Sequence, residues 1–561
     1  MGKIADFNKA EGYGEELDPK DPKGWPSNRI LRPAFLETIL LQEPYRGALT
    51  RKGVTIVGAW FTEALDLSSA TLDHQLGLGD CRFESNVRLS RLKTTQVISL
   101  VGSKFTGELD MSSLKVGSSL SMRGGAEFAE VALRSAKIGG QLSMIGSKFT
   151  GKLVLGSLEV GRDLSMRGGA EFAEVSLRAA KIEGSLEMDG SKFTGRVDMD
   201  KLQVESSLFM RGGAEFAEVL LIGAKIGGQL SMIGSKFTGK LDMDSLEVER
   251  SLLMRGAEFA EVLLIGAKIG DQLSMIGSKF TGKLNMNSLE VGSSLFMRGG
   301  AEFAKAPDLI FSEVGGNLDI SGSTFPTLDL TGTRVHGELR LGSDEHPATQ
   351  WRKGAKLILR NAEVGALQDL PEAWPDHLEL DGFTYGRLGG LGAAAESDMA
   401  NRDVSWLKEW LRKQQSFSPQ PYEQLAGVLR KAGQKDKADD VLYARRESER
   451  VGAKGLHKAW MFLQKIFIGY GYHNLRAVYW VGALVAIGAL VLLYSGQGPA
   501  HNMPYGLSYS LDMLLPFVKL RESHYTEIVI CGWAKYYFYF HKLMGYVLAS
   551  FLVAGISGLT K

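Results

Sequence analysis

The side chains with the most chemical potential in this sequence are five arginines, Arg123, Arg167, Arg211, Arg255 and Arg298, each inside an MRG triplet at a nearly fixed interval. A planar guanidinium binds carboxylates and phosphates through paired N–H groups, so an evenly spaced row of them suits an acidic protein, a nucleotide or an oligonucleotide backbone. In the intervening repeats the same place holds Ile145, Ile233 and Ile276, and only Asp189 stands there as an opposing charge. A second group, Asp198 with Asp200 and Asp242 with Asp244, has the paired carboxylates of a cation site. On a strand, however, alternate residues share one face. These aspartates lie on the outward face opposite an apolar pair, which reads as solvated surface.

Catalytic and metal motifs are missing from the sequence. The nine histidines show no HExxH or paired spacing, and Cys81 and Cys531 are far apart with no metal-ligand partner nearby. There is no GxGxxG, no Walker-type GxxxxGK and no nucleophile elbow. We therefore expect no metal, no cofactor and no enzymatic activity.

The elements that must position the arginines are set by a unit of about eleven residues repeated between residues 59 and 322. Four consecutive copies are SKFTGKLVLGS, LEVGRDLSMRG, GAEFAEVSLRA and AKIEGSLEMDG, starting at Ser147. Four units make a super-repeat marked by Phe105, Phe149, Phe193, Phe237 and Phe280, the last step being one residue short because a glycine is missing after Arg255. Apolar residues come in alternating pairs such as Leu109/Met111 and Leu120/Met122, which is strand spacing, with Gly or Ser at the bends between them. Strands this short cannot make a sandwich. The pattern predicts a mainly β fold, a right-handed β-helix whose 22-residue coils each contain two units, with about a dozen coils stacked at ~4.8 Å.

Units such as SKFTG and AKIGG place a large apolar residue at the centre of a five-residue side, and in this the chain resembles pentapeptide-repeat and other right-handed β-helix proteins. It departs from them in alternating sides of five and six residues. The resemblance implies a fold and little about activity. Charge along the coils is organised into columns. One runs Lys104, Glu127, Lys148, Glu171, Lys192, Glu215, Lys236, Glu258, Lys279, Glu302, and another Lys137, Glu159, Lys181, Gln203, Lys225, Glu247, Lys268, Glu290. In the first, each charge lies between opposite neighbours one coil away, and both columns read as self-neutralising ladders that help set register.

Beyond the solenoid, assigned to residues 53–385 after an N-terminal cap over 1–52, the pattern changes twice. Residues 386–456 read as a helical connector, and PYEQLAGVLRKAGQKDKADDVLYARRESER within it resembles one tetratricopeptide-type helix hairpin broken at Gly433. Residues 457–561 read as a membrane domain. Residues 477–497 are uncharged and long enough to cross a bilayer, and 543–560 form a shorter second span behind the aromatic run YYFYFH. Between them, the stretch from Pro504 through Asp512 and Pro516 to Phe517 is too short to span and reads as a re-entrant or interfacial helix. Small residues at Gly482, Ala486 and Ala489, and at Ala554 and Gly558, predict close helix packing between subunits. Lys535 argues against a further span at residues 525–540.

Two spans flanking a re-entrant segment resemble the layout of two-helix ion-channel subunits, without a TVGYG-type filter. That resemblance implies a homo-oligomer, since two spans cannot enclose a pore. With a net charge of +1 and no apolar leader before Trp25, the expected location is a cell inner membrane with the β-helix and both termini cytoplasmic. The expectation is an oligomeric pore gated by a β-helix sensor, in the setting of a bacterial anti-phage effector. The alternative is a membrane-tethered, non-enzymatic scaffold that presents the β-helix to a protein partner, and a membrane oxidoreductase ranks third for want of a cofactor motif.

Overall fold

The structure is a computed structural model and describes residues 4–10, 12, 16–391, 398–473, 475–503 and 506–556. The chain divides into two compact units, Met1–Asn401 and Arg402–Lys561.

The first unit is a parallel β-solenoid of about 15 turns with 22-residue spacing. Its length follows from the repeat. Leu120 pairs with Leu142, Leu142 with Leu164 and Leu164 with Leu186, each a copy of the same position one coil on. The dozen coils expected from the sequence fall short because coils continue beyond the clear repeat. There Leu318 pairs with Leu339 and Leu339 with Leu367, and the last strand, Thr384–Leu388, still pairs with the coil before it.

Alternation within each short strand decides what is buried. Leu120 and Met122 point inward and are fully buried, while Ser121 between them is half-exposed. Repetition turns each inward position into a column. Met122, Met144, Met166, Met188, Met210 and Met232 form one, all at 0% exposure. A second is a ladder of phenylalanines from Phe61 to Phe325, closed by Trp351, whose rings stack face to face at centroid distances such as 4.8 Å for Phe193–Phe216 and 4.9 Å for Phe216–Phe237. The coil spacing coincides with the stacking distance of offset aromatic rings, so one backbone repeat serves both hydrogen bonding and ring packing.

One corner of each coil requires a left-handed backbone. Along that column stand Ser157 (φ 55°), Ala179 (55°), Lys201 (56°), Gly223 (62°), Ser245 (56°) and Gly266 (63°). Only at Gly223 and Gly266 is the conformation free of the Cβ penalty. The N-terminal edge of the solenoid is covered by its own chain: Ala5–Asp6 pairs with Ile56 and Val57, and the fully buried Arg29 donates to Asn8 Oδ1 at 2.6 Å. Covering this edge removes a row of open backbone groups that would otherwise pair with another chain. Helix α1, Pro33–Leu41, buries Leu36 and Leu40 in the same region.

In the second unit, α2 (Val404–Arg412) precedes the helix hairpin of α3 (Gln420–Lys431) and α4 (Lys435–Gly452), with Gly433 at the break. There follow α5 (Gly455–Ile468), α6 (Leu475–Tyr494), α7 (Gln497–Ala500), α8 (Leu507–Leu514), α9 (Ser523–Thr526) and α10 (Trp533–Ile556). Among the described residues one helix, over Arg476–Tyr494, is long and apolar enough to cross a membrane. The second span expected at 543–560 does not meet that criterion, and its residues 557–560 lie outside the described residues. Helix α10 starts at Trp533 and takes in the whole aromatic run, with Lys535 carried over the Tyr539 ring at 5.8 Å. A charge at a helix end can be held over an aromatic face, so it does not stop the helix.

Candidate functional site

The five arginines do form a column along one edge of the solenoid. Backbone bonds place them in step: Gly212 N–H donates to the Ile233 carbonyl, Gly234 to Arg255, Gly256 to Ile276 and Gly277 to Arg298. The column is more neutralised than the sequence indicated. Arg211 makes a paired contact with Asp189 (Nη2–Oδ2 2.9 Å, Nε–Oδ1 3.2 Å), as expected. Arg167 also meets Glu187 at 2.9 Å, and Arg298 meets Asp319 at 3.5 Å. These two carboxylates were missed because they stand in the neighbouring column, two residues before the arginine position, and not opposite the arginines. Among the described residues Arg123 and Arg255 carry no carboxylate partner, and Arg255 Nε donates to Ser274 Oγ at 2.9 Å.

That neighbouring column changes character along the rod. It reads Ser121, Ser143, Ser165 and Glu187, then Phe209, Ser231, Leu253, Ser274 and Phe296 before Asp319. The arginines of the later coils therefore lie beside large apolar groups. The Arg211 guanidinium sits 4.0 Å from the Phe209 ring centroid and that of Arg298 5.2 Å from Phe296. Ile233, between them, is 39% exposed. A serine-to-apolar switch inside otherwise constant L-x-MRG motifs (LSMRG, LFMRG, LLMRG) is the sequence signal that marks this stretch.

The two charge ladders are built as the sequence indicated. Lys148 meets Glu171 at 2.8 Å and Lys137 meets Glu159 at 2.7 Å. The Lys148 partner lowers the Glu171 carboxyl and Glu171 raises Lys148. In the aspartate pairs, burial raises the carboxyls of Asp200 and Asp244. Asp244 Oδ1 accepts from the Ile265 N–H at 3.0 Å and Asp242 Oδ1 from the Asp244 N–H at 3.3 Å, so these carboxylates serve the backbone at the bends. Burial likewise pushes the Cys81 thiol up to about 12, which makes it inert as a nucleophile.

In the helical unit, α8 is held between the two long helices. A Cβ on Gly488 of α6 would lie 2.1 Å from Ser510 Oγ, and one on Gly545 of α10 would lie 1.8 Å from the Leu514 carbonyl oxygen. These glycines create the close approach. Of the small residues singled out from sequence, Ala489 is buried, Gly482 and Ala486 face outward, Ala554 is half-buried, and Gly558 lies outside the described residues, as does Pro504. Pro516 is half-buried just after α8. Asp512 is fully buried and organises the return of the chain. Its carboxylate accepts from the Leu520 N–H at 2.9 Å, the Arg521 N–H at 3.1 Å and His524 Nδ1 at 2.9 Å, while Tyr525 OH donates to its backbone carbonyl at 2.7 Å. Below it, His541 Nε2 lies 2.9 Å from the Ser510 carbonyl. These partners come from residues 520–541 and could not be assigned from spacing.

Apolar side chains face outward over much of this unit. Leu456, Trp460, Val478, Tyr479, Leu490, Leu493, Tyr536, Phe540, Leu543 and Val553 are all exposed, on α5, α6 and α10. Among the described residues no group of three or more His, Cys, Asp or Glu side chains has the geometry to hold a metal ion. Compared with known families, with curated proteins and with solved structures, the chain finds no match.

Proposed function

We propose that this chain is a non-enzymatic membrane protein whose helical unit lies in a bilayer and assembles with further copies into a pore, the β-solenoid serving as the sensing or gating part. One observation carries the reading: α5, α6 and α10 turn large apolar side chains outward while burying a polar cluster around Asp512. A water-soluble helical unit has the reverse arrangement, since an extended exposed apolar surface marks a lipid or protein contact. Helix α8 and its return loop, clamped between α6 and α10, fit a re-entrant segment, because irregular backbone at membrane depth is tolerated where protein covers it. The outward faces of Gly482 and Ala486 suit contact between subunits. In this reading α10 supplies the second span, and the location is a cell inner membrane with the solenoid on the cytoplasmic side.

The repeat's five-residue sides support a kinship of form with pentapeptide-repeat proteins, which concerns architecture alone. A membrane-tethered scaffold is the second reading, favoured by the arginine column, which gives the solenoid a surface of its own. Alkaline extraction of membranes, followed by quenching of Trp480 and Trp533 fluorescence with brominated lipids, tests bilayer placement, and mass photometry of the detergent-purified chain tests assembly. Release from membranes at high pH would end both readings. Retention as a monomer would leave the tether.

A further inference from the structure

The late half of the arginine column is a strip in which a cation and a large apolar group recur together every second coil: Arg211 with Phe209, Arg255 with Leu253, Arg298 with Phe296. Coils repeat at ~4.8 Å, so successive arginines stand ~9.6 Å apart. A polyproline II helix advances ~3.1 Å per residue with three residues per turn, which returns the same face every ~9.3 Å. From Arg211 to Arg298 the accumulated mismatch is under ~1 Å. An α-helix offers like faces every seven residues, at ~10.5 Å, and drifts by about twice that much or more over the same length.

The chain itself covers one end of this strip. Residues 343–349, inserted between solenoid strands, meet Arg298 and the next rung. His346 Nε2 accepts from Arg298 Nη1 at 2.6 Å, and Pro347 packs so tightly on Gly322 that a Cβ there would be 2.8 Å from Pro347 Cγ. Asp189 and Asp319 meet the same arginines from within the solenoid. The chain's own cover is thus acceptor side chains and a proline-containing turn. Nucleic acid fits less well. A strand with a phosphate on every nucleotide would meet the partly exposed Glu187 and Asp189 as well as the arginines, whereas a carboxylate on every third residue would not.

We propose that this strip binds an extended, proline-rich segment of a partner protein that carries an acidic side chain at every third residue. The carboxylates pair with Arg211 and Arg255, and the prolines lie on Phe209, Ile233 and Leu253. Aromatic and apolar grooves take polyproline II segments because the ligand is already extended and loses little entropy on binding. The proposal concerns the solenoid surface and holds whether or not the helical unit conducts.

The test is fluorescence anisotropy of a labelled peptide of about six Glu-Pro-Pro repeats, titrated with the full chain in detergent. Two variants borrow residues the chain already places in these columns, so they preserve the fold: R211I/R255I, after Ile233 and Ile276, and F209S/F296S, after Ser121 and Ser165. We expect saturable binding that weakens about tenfold or more in each variant, and no binding of a Lys-Pro-Pro peptide. Absence of Glu-Pro-Pro binding, or binding unchanged in both variants, overturns the proposal. So does arginine-dependent binding of an oligothymidylate in place of the peptide, which would make the strip a nucleic-acid surface. A loss in R211I/R255I without one in F209S/F296S also overturns it, as mere charge attraction.

Discussion

Removing one ring from the phenylalanine ladder tests how the solenoid is held together. Phe216 is 1% exposed and lies between Phe193 at 4.8 Å and Phe237 at 4.9 Å. Truncation to alanine withdraws roughly 130 Å² of apolar surface, worth about 3 kcal/mol at ~25 cal/mol per Å². It also removes two stacking contacts, which add about 1 kcal/mol together. The flanking rings cannot close the gap, because their backbones are fixed by the coil-to-coil bonds of Glu215 with Lys192 and Lys236. Phe216→Ala should therefore cost about 4 kcal/mol, inside the usual range for a buried phenylalanine. Phe61→Ala, at the end of the ladder with Phe83 as its one stacked neighbour, should cost about 0.5 kcal/mol less. Urea unfolding followed by far-ultraviolet circular dichroism measures both. A cost below about 1 kcal/mol for Phe216→Ala would refute the ladder as a source of stability.

Three further outcomes follow from the same structure. Lys201→Gly should stabilise the solenoid by about 0.5–1 kcal/mol, because Lys201 holds φ 56° where the same column uses Gly223 and Gly266; equal or lower stability in urea would count against a strained corner. Asp244→Asn should raise the melting temperature near pH 7 and leave it unchanged near pH 3. Burial raises the Asp244 carboxyl above its ordinary 3.8, so its favourable contribution is present below that value and is lost as pH rises through the folded one. A gap that widened toward acid would reverse the sign. In the helical unit, Gly545→Ala forces a Cβ against the Leu514 carbonyl and should cost about 1–3 kcal/mol in detergent thermal melts, whereas Gly482→Ala, with open space around it within one copy, should spare the fold of each copy and act only on assembly.

The solenoid was legible because every inward residue is repeated. Leu142/Met144 and Phe149 recur at fixed intervals, so one coil's alternation could be checked against its copies, and the columns Lys148–Glu171 and Lys137–Glu159 followed from the same arithmetic. Where repetition stops, legibility stops. The last coils, with Leu339, Leu367 and Leu388, carry the pairing without the motif and were counted short. Phe209, Leu253 and Phe296 break the serine column and were overlooked beside the more regular arginines. In the helical unit, apolar runs indicated helices but not their partners. A glycine in such a helix, Gly488 or Gly545, looks the same in sequence as Gly482, although the first two meet α8 and the last meets nothing within 4 Å. Asp512 was placed only within a re-entrant stretch, and its clamp on residues 520–525 depends on a return of the chain that no spacing announces.

The most direct test of the proposed pore is ion flux through liposomes reconstituted with purified protein, compared with a variant lacking residues 504–517. Flux is expected from the intact oligomer and none from the deletion variant, which removes α8 but keeps α6 and α10. Equal flux from both, or none from intact oligomers, would contradict the proposed pore.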